Sequence, residues 1–358
     1  MSVIHMKIKL FIKNTVLFCL LVMIGSPALA KDDFKFTFQP NPRDQLQKIN
    51  ETRQIRIAQQ YGLGYLPIMV MREHALIEKH AKQAGLGDVR VQWMTFPSGE
   101  KMNQALETGF LDIASGGLVP MINAWDKTRA SAKVKGLAAL STMPIFLTSR
   151  RPEVKGLGDF TEQDVIALPA PRTSFQAVVL QMAVAKAFGQ AQYEKLDNMT
   201  IGMKHPEAAN EMVSNSSKVT AHFASPPFQY QELDHPGIHK VLSSYDVMDG
   251  PSTFTVLWSR QLFIDNNPHT GRAIYNALQE AIDIINNDTR RAAGTYIQHA
   301  YSSLSENYIH NVLSRPENSY GTKPLNVMKI ADFMFRTGKI SKRPVSWNDL
   351  FFNYVQGF

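Results

Sequence analysis

Apolar and polar residues alternate from Gln54 to Gln59, a period of two that predicts a strand. Gly62, Gly64 and Pro67 then punctuate the chain, and Met69 to Gln83 reads as a helix closed by Gly85. The same unit recurs. Val89 to Trp93 is a second strand, Phe96-Pro97-Ser98-Gly99 a turn, and Lys101 to Glu107 a helix stopped by Gly109. Leu111 to Ala114 is a third strand running into Ser115-Gly116-Gly117. Further on come a strand over Val165–Leu168, a turn over Pro169–Thr173 and a helix over Phe175–Phe188. That helix has apolar residues at 175, 178, 179, 182 and 183 and Gly189 as its cap. A strand over Asn198–Met203, a helix from His205 to Val213 with Pro206 near its start, and a strand over Val219–Phe223 follow. The last third is mostly helical. Asn267 with Pro268 caps a long helix bearing Ile274, Leu278, Ala281, Ile282 and Ile285, and further helices cover Ser305–Leu313 and Leu325–Arg336.

Alternation of strand and helix predicts an α/β fold with mostly parallel sheets flanked by helices. The stretches Phe96–Gly117 and Lys204–Pro227 share one plan of loop, short helix, strand and small-residue loop, which points to two lobes. No long linker separates them, so the chain must cross between lobes at two extended runs, Ser141–Ser149 and Ser252–Trp258. The expected division is residues 54–145 and 255–358 for lobe I and 146–254 for lobe II, joined by two crossover strands. Residues 31–53, with Pro40 and Pro42, read as a polar arm.

Residues 1–30 have a different composition. Lys7, Lys9 and Lys13 precede an apolar run from Val16 to Ile24, and Ala28-Leu29-Ala30 offers a small-x-small site. This is the pattern of a secretory signal peptide cleaved after Ala30. Cys19, the sole cysteine, lies inside the apolar run, and Leu17 and Phe18 before it do not suit a lipoprotein site. The mature chain would then hold no disulfide, thiolate metal site or cysteine nucleophile. Removing the three lysines and no acid lowers the formal charge from +7 to +4, a mild bias with no basic cluster of the kind nucleic acid requires.

Ligands of open α/β sheets sit beyond the carboxyl ends of the strands, so the loops there hold the candidates. Gly62 and Gly64 permit close backbone approach with Tyr61 and Tyr65 as walls, or simply make a tight turn. Ser98-Gly99 opens a helix, where a cap and an anion site coincide. Ser115, Gly116 and Gly117 suit a cleft floor, and Asp112 is expected to pin nearby backbone. Arg172, Thr173 and Ser174 could bring a guanidinium, hydroxyls and helix-start amides together on an anion. His222 and Ser225 sit at the end of a second-lobe strand. Ser252 and Thr253 lie at the second crossover. No H-E-x-x-H, G-x-S-x-G, P-loop or G-x-G-x-x-G occurs in the chain, and the i,i+4 pair His235/His239 is split by Pro236 and Gly237, which break a helix.

Several of these pieces stand in an order that resembles one family. They are Ile55-Arg56-Ile57-Ala58 with the Gly62/Gly64/Pro67 turn, Val91-Gln92-Trp93 with Phe96-Pro97-Ser98-Gly99, Ala105-Leu106-Glu107-Thr108-Gly109-Phe110-Leu111-Asp112-Ile113, and Ser115-Gly116-Gly117. Over residues 54–300 the chain resembles the nitrate/sulfonate/taurine family of periplasmic solute-binding proteins. The resemblance implies a two-lobed type II fold that closes on a small, anionic organic solute. It also implies a monomer in the periplasm that partners the permease and ATPase of an ABC importer, with no cofactor, metal, nucleic acid or catalytic residue. An alternative is an enzyme of the same fold, akin to thiamine-pyrimidine synthases, although those rely on cysteine motifs that residues 31–358 lack. Arg172 departs from the small Gly/Ser loop usual in the family.

Overall fold

The computed structural model describes residues 50–355 except Asn215. The proposed signal peptide, its cleavage after Ala30 and nearly all of the arm lie outside the described residues.

The first half of the fold opens with β1 (Gln54–Gln59), α1 (Leu66–Glu73), α2 (Leu76–Gln83), β2 (Arg90–Thr95), α3 (Gly99–Glu107), β3 (Ile113–Gly117), α4 (Leu118–Lys127) and β4 (Lys135–Thr142). The second half contains β5 (Phe146–Ser149), β6 (Ile166–Leu168), α5 (Phe175–Phe188), β7 (Thr200–Gly202), α6 (His205–Val213), β8 (Ala221–Ala224), α7 (Phe228–Leu233), β9 (His239–Ser243) and α8 (Ser244–Met248). The chain then returns through β10 (Thr253–Ser259), α9 (Gln261–Asn266), α10 (Pro268–Asn287), α11 (Thr289–Ala300), α12 (Glu306–Leu313), β11 (Ser319–Tyr320) and α13 (Val327–Arg336).

Six strands in the order β11-β4-β10-β3-β1-β2 make one sheet, and five in the order β7-β6-β8-β5-β9 make the other. Apart from the short edge strand β11, the two orders are the same plan. A first strand (β1 or β6) lies between its second and third, and a strand arriving from the other half (β10 or β5) is inserted next to the third. Pairing is parallel among the strands of each βα unit and antiparallel wherever the inserted strand joins. The sheets are therefore mixed where mostly parallel ones were expected. The difference has a topological cause: parallel neighbours need helical crossovers, whereas a strand entering from the other half has no such constraint.

The first expected crossover run is interrupted between Thr142 and Phe146, the end of β4 and the start of β5, whereas the second, Ser252–Trp258, is a single strand, β10. The expected helix over 69–83 is two helices, parted at Ala75 in the left-handed conformation (φ 46°). It also begins earlier, because Pro67 fits the first helical turn, where its missing N–H costs nothing. Leu118–Lys127 was not anticipated as a helix, nor Lys135–Gly136 and Leu137–Leu140 as strand.

The core runs through both halves. Trp258, Ile55, Ile57, Phe175 and Phe223 are almost wholly buried, each removing roughly 2–3 kcal/mol worth of apolar surface from water. Asp112 fastens β3 to β1 as expected: it accepts the Arg56 N–H at 2.9 Å and the guanidinium at 2.8 and 2.6 Å. The long helix α10 is capped differently from expectation. Asn267 spends its amide on Phe263 O and Thr52 N, and the carboxylate of Glu51 accepts the N–H groups of His269 and Thr270 at 2.9 and 2.8 Å.

Candidate ligand-binding cleft

The loops after β1, β2 and β3 in the first half face the loop after β6 and the start of α6 in the second. Between them lies a cleft lined on one side by Gln60, Tyr61, Tyr65, Gly99, Glu100, Gly117 and Phe254. Pro169, Ala170, Thr173, Ser174, Phe175, Gln176 and His205 line the other side. The walls nearly meet: a volume of about 20 Å³ accepts the centre of a water-sized sphere, room for about one water. Phe175 packs edge-on against Phe254 across the gap, with ring centroids 5.3 Å apart. Thr173 donates its hydroxyl to Glu100 at 3.2 Å. Leu63 N–H donates to Pro226 O at 2.8 Å, joining the halves beside the cleft.

Local sequence explains how each wall is held. Ser98 caps α3 by accepting Lys101 N–H, and Ser174 caps α5 by accepting Ala177 N–H at 3.2 Å. The first residues of α3, α4, α5 and α6 therefore all open toward the cleft region, bringing the positive ends of four helix dipoles to one place. Gly99 and Gly117 are glycine for lack of space. A Cβ on the first would stand 2.6 Å from Pro120, and on the second 2.9 Å from the Cβ of Phe175 in the opposite wall. Tyr65 is buried, which pushes its hydroxyl far above the usual phenol range against a partly offsetting hydrogen bond from Gln60. His205 is held well below the ordinary imidazole range, first by burial and then by the neighbouring His222.

Of the candidates read from sequence, Tyr61, Tyr65, Gly99, Gly117, Thr173 and Ser174 line the cleft. The others stand outside its lining. Gly62 holds φ 108° with Pro226 O against it, and Gly64 O accepts the Thr255 hydroxyl at 2.8 Å. Ser98 serves α3 as cap, Ser115 donates to Ala58 O at 2.7 Å, and Gly116 leaves room for Trp258 and Gln60. Arg172 takes a left-handed backbone (φ 64°) and its guanidinium lies 3.4 Å from Asp197, with the side chain 62% exposed. His222 and Ser225 are buried behind the wall. Thr253 accepts Leu325 N–H at 2.8 Å, and the buried Ser252 hydroxyl lies at the crossover.

Sequence reasoning passed over Gln60, Glu100, Gln176 and His205. His205 carried a usable signal, since it opens a helix directly after a strand, the place where the other candidates were sought. Gln176 had none, being a single polar residue among apolar ones in the first turn of α5.

Comparison with known proteins gives this arrangement a class. The structure is similar to the alkanesulfonate-binding protein SsuA from Xanthomonas axonopodis pv. citri bound to MOPS (TM-score 0.64, 17% identity, 82% of this chain and 96% of that one). It is similar to the periplasmic aliphatic sulphonate-binding protein SsuA from Escherichia coli (TM-score 0.63, 17% identity, 85% and 99%). It is also similar to the periplasmic nitrate-binding protein NrtA from Synechocystis PCC 6803 (TM-score 0.64, 14% identity, 84% of both). The fold is thus the two-lobed α/β fold of periplasmic solute-binding proteins. A model of the NMT1-like family matches residues 49–297, most of the chain, and the chain belongs to that family. No curated protein matches it in sequence.

Proposed function

We propose that this chain is the substrate-binding component of an ABC importer, working in the periplasm. It captures a small organic anion between its lobes and delivers it to a membrane permease driven by an ATPase. The observation that carries this reading is the meeting of strand-end loops from two separate sheets at one cleft, walled by Tyr61, Tyr65, Phe175 and Phe254. Four helix starts at the same place favour a negative group. The sulfonate- and nitrate-binding proteins of like fold support the same class of solute.

In this reading the lobes, 54–145 with 255–358 and 146–254, rotate about the breaks at 143–145 and 249–252. Solute touching both walls favours the closed arrangement by the difference in its affinity for the two states. The expected test is a thermal-shift screen of residues 31–358 against sulfonates, nitrate, carboxylates and pyrimidines. A solute present at a hundred times its Kd adds about 2.7 kcal/mol of stability, a shift of several degrees. If no solute shifts the transition and none co-purifies with the native chain, the reading is wrong.

A further inference from the structure

The second-half wall of the cleft continues inward as a chain of hydrogen bonds. Gln176 Nε2 lies 3.0 Å from His205 Nε2, and His205 Nδ1 lies 2.8 Å from His222 Nε2. His222 Nδ1 lies 2.5 Å from Glu232 Oε1, and Glu232 Oε2 lies 2.6 Å from the hydroxyl of Thr148. The five residues come from α5, α6, β8, α7 and β5, and none is more than 6% exposed. Only Gln176 and His205 reach the cleft.

Two proton inventories satisfy this chain, and they have opposite polarity. With both rings neutral, every N–H points toward the carboxylate: His222 Nδ1–H to Glu232, His205 Nδ1–H to His222, and the Gln176 amide N–H to His205. The carbonyl oxygen of Gln176 is then the group offered to the cleft. One added proton makes His222 a donor at both nitrogens, so His205 Nδ1 becomes an acceptor and its Nε2–H a donor. Gln176 must turn its oxygen to His205 and its N–H groups to the cleft. The proton converts the wall from acceptor to donor.

Among the described residues, the cleft lining contains no Lys or Arg, and its one carboxylate is Glu100. Resting on the solute-binding reading above, we propose that Gln176 and His205 form an oxyanion subsite, and that its balancing positive charge is a single proton held by the His205–His222 pair over Glu232. A net neutral Glu232–imidazolium pair is also the cheaper state to bury. Burial and the mutual repulsion that hold His205 low keep the pair to one proton. Other charged groups on the surrounding elements do not supply the charge. Lys186 of α5 bridges Asp249, and Lys240 of β9 covers the Phe146 ring. Arg150, just past β5, donates to Glu211 O in the last turn of α6 at 3.4 Å and to Ser217 O in the loop beyond it at 3.0 Å. Lys204 and Glu207 are exposed, half-buried Glu211 sits in the last turn of α6, and Tyr65 and Glu100 face the cleft from the first half.

The test is calorimetric titration of ethanesulfonate, nitrate and acetate into residues 31–358 from pH 5.5 to 8.5, in buffers of differing ionisation enthalpy, with uracil as uncharged control. The expected result is an anion whose affinity falls about tenfold per pH unit above the pair's apparent pKa, with uptake approaching one proton. Gln176→Leu, which leaves the buried pair in place, should lose at least about tenfold in anion affinity. His222→Gln should flatten the pH profile. A pH-independent anion affinity overturns the subsite while leaving solute binding intact, and so does uracil binding where no anion binds. Nitrogen-15 imidazole spectra of the unliganded protein decide the matter without any solute. One proton entering the pair with His205 still neutral supports the proposal, and two rings neutral at pH 5.5 overturn it.

Discussion

Gly62 shows how much of the cleft's edge rests on one backbone angle. Its φ of 108° is a region that side chains strain to adopt, and a Cβ there would lie 2.8 Å from Pro226 O, the acceptor of the Leu63 N–H bond between the halves. Gly62→Ala should cost about 1–3 kcal/mol from the backbone alone, read as a lowered denaturation midpoint. At this scale the residues legible in the sequence were those whose partners are local. Ser98 and Ser174 cap the helices they precede, and Asp112 binds the neighbouring strand's Arg56. Arg172 was not legible in the same way. Its direction depends on a left-handed backbone and on Asp197, which the fold brings beside it. His205 and His222 face the same difficulty, because their pairing follows from α6 crossing β8.

Elements were readable where a periodic run had its own stop signals, as in β1 and α5. They were misread where distant residues decide. The cap of α10 is the clearest case, since Glu51 lies in a segment that sequence treats as a featureless arm. Its carboxylate binds His269 N–H, Thr270 N–H and the Thr270 hydroxyl, the last at 2.7 Å. Burial alone would raise the Glu51 pKa, but the hydrogen bonds from His269 and Thr270 outweigh it, and the value falls below 4.5. A carboxylate bound more tightly when ionised contributes stability above its unfolded pKa. That contribution disappears as the pH falls from about 4.5 through the lower folded value. Glu51→Ala should therefore cost about 1 kcal/mol at pH 7. The difference from the parent should vanish in acid melts taken well below pH 4, and a gap that persists there would show that Glu51 acts through packing instead.

Across the whole molecule, the shared strand order of the two sheets explains why a cleft exists at all. Each half carries its loops at the carboxyl ends of β1 and β3 or of β6 and β8, and the two crossings turn those ends toward one another. Sequence could announce two similar halves from their repeated pattern. It marked the runs that hold β5 and β10 as crossings but could not announce their antiparallel pairing with β8 and β3, because such neighbours are chosen by the path of the chain and leave no periodic trace. In the proposed closure, the near approach of the walls would be limited at Gly117. It faces Phe175 of the other half with no room for a Cβ, which would meet the Phe175 Cβ at 2.9 Å, while its own backbone (φ −59°, ψ 151°) suits any residue. Gly117→Ala should thus leave each half folded, with stability changed by less than about 1 kcal/mol, yet hold the walls apart by a few tenths of an ångström. Hydrogen bonds across a gap weaken steeply with such a shift, so affinity for the tightest solute of the screen should drop by about tenfold. Calorimetry and thermal melts on the same variant separate the two effects. Unchanged affinity would mean that the solute is held without the lobes meeting at Gly117 and Phe175.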